Sequence, residues 1–366
     1  MKLRGFFIGI AMCYVLFALL SLVYGVFAYR AAAVFCGCLI LFYMLKSRLA
    51  ELRLGGLLVF LVLIIAVFSL FSLQSSEGRS LFSVMVFIGA LGVSWFSLAA
   101  RCTFHLYELP FYIILGATLI LFLVFGYGPA EFNTVLAGYS RNGYSAILLA
   151  FAGGYIFSRI YRGKRISLVL MMLVLISSFP LYGRSGIAMA FSLFIVVLCY
   201  RSLRVAALVG GAGILCALSS LDIIESYIYG ATNFSAGMDS PRSEMLLQYL
   251  DSINGLGLLT GLDLSQVPLI FEYNNNPHNA FLLLHSYYGI SMILLICLIA
   301  ISLFKLFVEK KFALLAIAVL FLCRALFDII YLFGLFDYLL FPLLFYWFFA
   351  KYFRSSGSVS TPLGVR

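Results

Sequence analysis

Apolar runs of roughly 16 to 22 residues recur along this chain with almost no charge inside them, and each is long enough to cross a hydrocarbon layer as a helix. In lipid every backbone N–H and C=O must find a partner inside the protein, so only helices and closed barrels can span. The runs lack the strict alternation of a barrel strand, which leaves helices. Composition agrees: 64% of the residues are hydrophobic and 10% charged, against about 25% charged in an ordinary soluble domain. The predicted spans are residues 5–24, 27–45, 54–73, 80–100, 111–127, 144–160, 166–182, 184–200, 205–221, 280–304, 312–331 and 338–350. The expectation is an all-α integral membrane protein of about twelve transmembrane helices with one large extracytoplasmic loop that contains short helices. Residues 1–221 hold the first nine spans, 222–279 the loop, 280–350 the last three spans and 351–366 a tail.

A net charge of +10 could suggest nucleic acid, but its placement points elsewhere. Eighteen of the 24 basic residues fall on one set of connections, five on the other (Arg30, Arg79, Arg141, Arg184, Arg242), and Arg324 lies within a span. The positive-inside rule puts the basic side, with both termini, in the cytoplasm. The first helix serves as its own signal, since MKLR and the apolar run after it lack an A-x-A cleavage site. Eight cysteines lie in spans or on the basic side, without a C-x-x-C metal pattern or a disulfide framework.

The 222–279 loop is too polar and too rich in Gly, Pro and Asn to span, yet it carries helix signals. Ser240 can cap, Pro241 suits the first helical position, Met245, Tyr249 and Ile253 recur every four residues, and Gly255 and Gly257 end the pattern. It reads as a folded roof on the membrane surface.

Candidate chemistry gathers on the arginine-poor side. Arg184 stands in LYGRSG at the start of a span, where N–H groups and the helix dipole favour an anion; snorkelling to headgroups is the plainer alternative. Arg242 sits in the first turn of the roof helix, the unfavourable end for a cation unless an anion binds there, although it also reads as a solvated loop arginine. Two arginines suit the oxygens of a diphosphate. His278, followed by Asn279 where the chain re-enters the bilayer, can accept a proton at neutral pH or can simply bond its own loop. Asn274, Asn275 and Asn276 stiffen that turn or meet sugar hydroxyls, and His285 reads as packing. Arg324 and Asp328, four residues apart in the eleventh span, read first as a pair facing the bundle, with a supporting role in substrate or proton handling as the alternative. His105 and Glu108 read as a solvated cytoplasmic face. No DxD, zinc, Walker, GxSxG or Rossmann pattern is present. Metal and cofactor are therefore not expected, and the energy for chemistry has to reside in the substrate.

Three segments resemble the bacterial O-antigen polymerase and O-antigen ligase superfamily of polytopic glycosyltransferases: GRSGIAMAF at Arg184, PRSEMLLQYLDSINGLGLLTG at Arg242, and HNAFLLLHSYYGI from His278 to Ile290. The aromatic residue that commonly follows the loop arginine in that family is replaced, with Met245 and Leu246 near its place, which leaves the subfamily open. The resemblance implies transfer of a glycan from an undecaprenyl-diphosphate carrier at the periplasmic face of the bacterial inner membrane, with inversion and without metal. It implies that Arg184 and Arg242 hold the diphosphate and that His278 is the base, with Asn279, Arg324 and Asp328 in support. The acceptor would be a carrier-linked glycan in a polymerase or lipid A-core in a ligase. Membrane lipids and a chain-length regulator are the other expected partners, and nucleic acid is not one. A lipid-linked oligosaccharide flippase is the alternative from a different class, disfavoured because only Arg324 places a basic residue inside a span.

Overall fold

The computed structural model describes residues 2–47, 62–70, 79–181, 183–205 and 241–355, and among them no strand occurs. Among the described residues, seven helices are long and apolar enough to cross a membrane: Leu3–Tyr24, Phe27–Ser47, Arg79–Ala99, Phe104–Leu123, Arg141–Tyr161, Arg184–Arg201 and Ala280–Val308. Leu168–Ser178 and Phe312–Ala325 are apolar but shorter. Most of the predicted 54–73 span, most of 205–221 and the first part of the roof lie outside the described residues. Phe42, Leu123, Val169 and Phe304 are each exposed by 68–69%; side chains like these find their solvent in lipid rather than water.

In chain order the first three helices are α1 (Lys2–Tyr24), α2 (Phe27–Ser47) and α3 (Arg79–Ala99). They pack tightly because glycines meet at the crossing: a Cβ on Gly37 would stand 2.6 Å from the Gly89 Cα. Small residues at such crossings let helix backbones approach and gain dispersion contacts where lipid offers no hydrophobic drive. A π-helical turn, Phe104–Glu108, runs directly into α4 (Leu109–Leu123), and a short α5 (Pro129–Phe132) follows. Next come α6 (Arg141–Tyr161), α7 (Leu168–Ser178) and α8 (Arg184–Arg201). The centre belongs to α6, whose apolar window is 89% buried.

The described part of the roof holds α9 (Pro241–Ser252), α10 (Gly255–Thr260), a 3-10 turn at Leu264–Gln266 and α11 (Pro268–Glu272). It has a small core of its own, in which Met245, Tyr249, Leu262, Leu264, Val267 and Ile270 close over Leu282. The expectation that Gly255 and Gly257 end the roof helix is corrected. That helix stops at Ser252, and both glycines belong to α10, which Asn254 restarts by accepting the Gly257 N–H at 2.7 Å.

After the roof run α12 (Ala280–Tyr288), a 3-10 turn at Gly289–Ser291, α13 (Met292–Val308) and α14 (Phe312–Ala325). The roof lies against α12 through close backbone contact as well as through the Leu282 side chain. Gly261 (φ +93°) faces the carbonyls of His285 and Ser286, and Gly289 (φ +50°) faces that of Leu259, with no room for a Cβ at either. His285 adds a polar tie: its Nε2–H donates to the Leu258 carbonyl at 3.1 Å, which leaves Nδ1 to accept the Tyr249 hydroxyl at 2.8 Å.

Beyond α14 the chain departs from two expected spans. The eleventh helix ends at Ala325 rather than 331, and the 338–350 stretch is a 3-10 turn (Asp337–Leu339), α15 (Phe341–Leu344) and α16 (Tyr346–Ser355) in place of one helix. The cause is Asp337, fully buried, which accepts the backbone N–H groups of Leu332 at 3.1 Å and Gly334 at 2.8 Å. This holds Leu332 (φ +61°) and Phe333 (φ +76°) in the left-handed region, which no continuing helix can use. Irregular backbone survives in an apolar interior only when protein groups satisfy it. Tyrosines do this here: Tyr14 donates to the Leu335 carbonyl at 2.6 Å and Tyr107 to that of Tyr338 at 2.8 Å.

Polar contacts tie the bundle at both ends. At one end the Arg4 guanidinium donates to the Ala100 carbonyl, and Glu108 meets Arg159 and Arg162. At the other, the loop before α6 is tied to the end of α1 by the Ala137 N–H on the Leu22 carbonyl at 2.9 Å. His105 is exposed as expected, but Glu108 is not on a solvated face: it is 0% exposed, accepting from Arg162 at 2.8 Å, Arg159 at 3.3 Å and Ser158 Oγ at 2.8 Å. Charge partners and a hydroxyl satisfy this carboxylate, and two arginines depend on it. Glu108→Ala is expected to lower the unfolding free energy by about 3 kcal/mol, because it leaves partly buried cations uncompensated. Thermal unfolding of the detergent-purified protein, compared with wild type, checks this.

Candidate functional site

The end of the bundle that carries the roof assembles the predicted residues from four separate stretches of chain. Arg184 is the first residue of α8, with Gly183 as its extended N-cap (φ −88°, ψ 114°). N–H groups in a first helical turn have no intrahelical acceptor, and the dipole adds positive character there. Two glycines let this helix start lie close to α6: Gly183 packs on Asn142, where a Cβ would come 2.7 Å from Oδ1, and Gly186 packs on Ser145.

Arg324, in the last turn of α14, is only 4% exposed. Its Nη1 donates to Ser185 Oγ, and its Nη2 donates to the Asn142 carbonyl at 3.3 Å and to Asp328 Oδ2 at 3.3 Å. The guanidinium therefore ties the start of α6, the start of α8 and the end of α14 together directly beside Arg184. The expected Arg324–Asp328 pair is present, with Asp328 just past the helix end rather than within a span. Arg324 Nε is buried and meets no hydrogen-bond acceptor among the described residues. A buried donor left in that state costs about 1–3 kcal/mol.

Arg242 is the second residue of α9 and half-buried. Burial holds its pKa below the ordinary arginine value. Arg324 and Arg184 push the same way, and Asp328 opposes them. Arg184, Arg324 and Asp328 are thus all near enough to act on the Arg242 charge.

His278 completes the group. Its backbone is left-handed (φ +49°), a rare conformation for a residue with a side chain, after two more left-handed residues, Asn274 and Asn275. Neighbours hold it there: Asn276 Oδ1 accepts the His278 N–H at 2.9 Å, and Asn279 Oδ1 caps α12 by accepting from Phe281 at 2.9 Å and Leu282 at 3.2 Å. The ring meets Tyr273 edge-on at 5.9 Å. Burial lowers the His278 pKa, Arg242 lowers it further, and Asp328 partly restores it. An imidazole in this setting is neutral near pH 7 and ready to accept a proton.

Arg184, Arg242, His278, Arg324 and Asp328 thus converge, while Asn279 acts on the backbone next to the histidine. His285 stands apart as a structural tie to Tyr249. Sequence reasoning missed Asn142 and Ser185, the acceptors that fix Arg324; Ser185 lies inside the GRSG motif, but nothing in the sequence marks Asn142. What the arrangement offers chemically is cationic side chains suited to an anion, beside an imidazole whose burial favours the neutral form. No family model matches the chain, and neither a curated protein nor a solved structure matches it.

Proposed function

We propose that the protein is a metal-independent, inverting membrane glycosyltransferase that polymerises oligosaccharide repeat units carried on undecaprenyl diphosphate. It works at the periplasmic face of a bacterial inner membrane, with twelve spans and both termini in the cytoplasm, as the positive-inside bias supports. The observation that carries the reading is the convergence of Arg184, Arg242, Arg324, Asp328 and His278 beneath the roof. Among the described residues, three guanidinium groups and one carboxylate give the cluster a balance of positive charge. A diphosphate esterified at both ends carries one negative charge on each phosphate, opposite in sign to that balance.

The reaction follows from that balance. An acceptor hydroxyl attacks the anomeric carbon of the donor glycan from the face opposite the diphosphate, and His278 takes the hydroxyl proton. The bond from the anomeric carbon to the phosphate oxygen breaks, and its electron pair leaves with the diphosphate. The leaving group gains negative charge as the bond breaks, so the arginines hold the transition state more strongly than the bound donor, which is the condition for catalysis. The same donor site would serve a ligase with lipid A-core as the acceptor.

Replacement of His278 with Ala is expected to slow transfer by about 10²–10⁴. Arg184→Ala and Arg242→Ala should each cost about 10²–10³, with membrane insertion unchanged in all three. The surface polysaccharide profile of a deletion strain, complemented with wild type or variant, checks both the reaction and the acceptor. Single repeat units on lipid A-core are the expected result. Long chains stranded on the carrier with bare core would assign the ligase activity, and an unchanged profile would contradict the proposal.

The pH dependence has a definite sign. Only neutral His278 accepts a proton, so protonation abolishes activity, and a pKa below the ordinary 6.5 moves that loss to more acidic pH. The acidic limb of kcat/KM is expected to have its midpoint below 6.5 and to vanish in His278→Ala, measured on residual activity from pH 5 to 8. A bound diphosphate raises the histidine pKa, so the limb of kcat should lie at higher pH than that of kcat/KM.

A further inference from the structure

A second basic site lies at the same end of the bundle, outside the arginine and histidine cluster. A cavity of about 690 Å³ opens between the end of α1, the starts of α2 and α3, α12 and the irregular 329–336 segment. Two arginines line it, Arg30 from the first turn of α2 and Arg79 from the first residue of α3, and no carboxylate does so among the described residues. The Arg30 guanidinium sits 5.9 Å from the centre of the Phe82 ring. Tyr287 lines the same cavity. Most of the remaining wall is aliphatic and aromatic.

Two cations at the mouth of an apolar cavity in a lipid-facing bundle define an amphiphile: a phosphate group for the arginines and a hydrocarbon tail for the wall. The volume suits one such ligand, a diphosphate with the first units of a single chain, rather than a headgroup with many acyl chains. Its position is also informative. Ile329 and Ile330 line the cavity immediately after Asp328, which pairs with Arg324, and Leu283, Leu284 and Tyr287 line it from the helix that begins just after His278. The two sites therefore share α12 and the chain around Asp328.

We propose that the Arg30–Arg79 cavity is a second polyprenyl-diphosphate site, which holds the carrier lipid of the acceptor glycan while the Arg184–Arg242–Arg324 cluster holds the donor. The acceptor role rests on the polymerase reading; the binding of a second lipid diphosphate does not. A polymerase joins two glycans that are both anchored in the membrane, so it has to seat two carriers with their sugars on either side of one base. The cavity shares with the donor cluster the helix that begins just after His278 and the chain that follows Asp328.

Native mass spectrometry of the full chain, released from detergent with undecaprenyl diphosphate as the probe, tests this by stoichiometry. Wild type is expected to bind two molecules, and Arg30→Gln/Arg79→Gln and Arg184→Gln/Arg242→Gln one each, with thermal unfolding confirming that both variants are folded. One molecule on wild type, or two on Arg30→Gln/Arg79→Gln, would overturn the second site. So would phosphatidylglycerol or inorganic diphosphate displacing the Arg30–Arg79-dependent molecule at equal concentration, since either would make the site one for bilayer lipid or a free anion. Two molecules retained by Arg184→Gln/Arg242→Gln would instead count against the donor site, so the two failures are distinguishable.

Discussion

A single buried guanidinium organises the candidate site. Taking a cation out of water costs several kcal/mol, so Arg324, buried in the last turn of α14, requires compensation, and it finds this in Ser185, the Asn142 carbonyl and Asp328. Each partner belongs to a different part of the chain. Satisfying one cation therefore fixes the start of α6, the start of α8 and the turn after α14 relative to one another. Arg184 is placed by that arrangement, since Gly183 and Ser185 on either side of it contact Asn142 and Arg324. The glycines at 183 and 186 permit the approach, and among the described residues the Nε of Arg324 meets no acceptor. A cluster with surplus positive charge is stable only where an anion or solvent can reach it, which a site at the end of the bundle allows.

The roof is positioned by a different physics. Its own small core is apolar, but its fixation to α12 depends on backbone contact at Gly261 and Gly289 and on the Tyr249–His285–Leu258 hydrogen bonds. The same helix carries Asn279 as its cap and His278 just before it. One helix thus sets both the height of the cover and the orientation of the base. A left-handed histidine braced by two asparagines is a strained element, and strain of this kind persists where surrounding structure over-determines it.

Much of this was legible because it rests on local signals. Pro241 with the four-residue spacing of Met245 and Tyr249 marks the roof helix, and Asn279 marks the start of α12. The convergence of Arg184, Arg242 and His278 could be anticipated because all three fall on the arginine-poor side. Other features were hidden for identifiable reasons. Residues 326–331 and 338–340 are as apolar as their neighbours, so hydropathy reads them as parts of two spans, whereas the bonds Asp337 makes to Leu332 and Gly334 decide the path of the chain between them. A buried acid in an apolar run is the one signal that could have exposed it. Glu108 was misread because its partners, Arg159 and Arg162, lie some fifty residues away and meet it only in the folded bundle. The glycine crossing of α2 with α3 is likewise a property of two helices together.

The central claim is that the cluster beneath the roof transfers a glycan from one lipid diphosphate to another glycan, with no energy source beyond the donor. The most direct measurement uses the purified protein, a defined undecaprenyl-diphosphate oligosaccharide and a metal chelator, with products followed by mass spectrometry. The account predicts carrier-linked oligomers of two or more repeat units, one undecaprenyl diphosphate released for each linkage formed, and inverted configuration at each new bond. Substrate that remains monomeric when the protein is folded and the lipid is bound would contradict it.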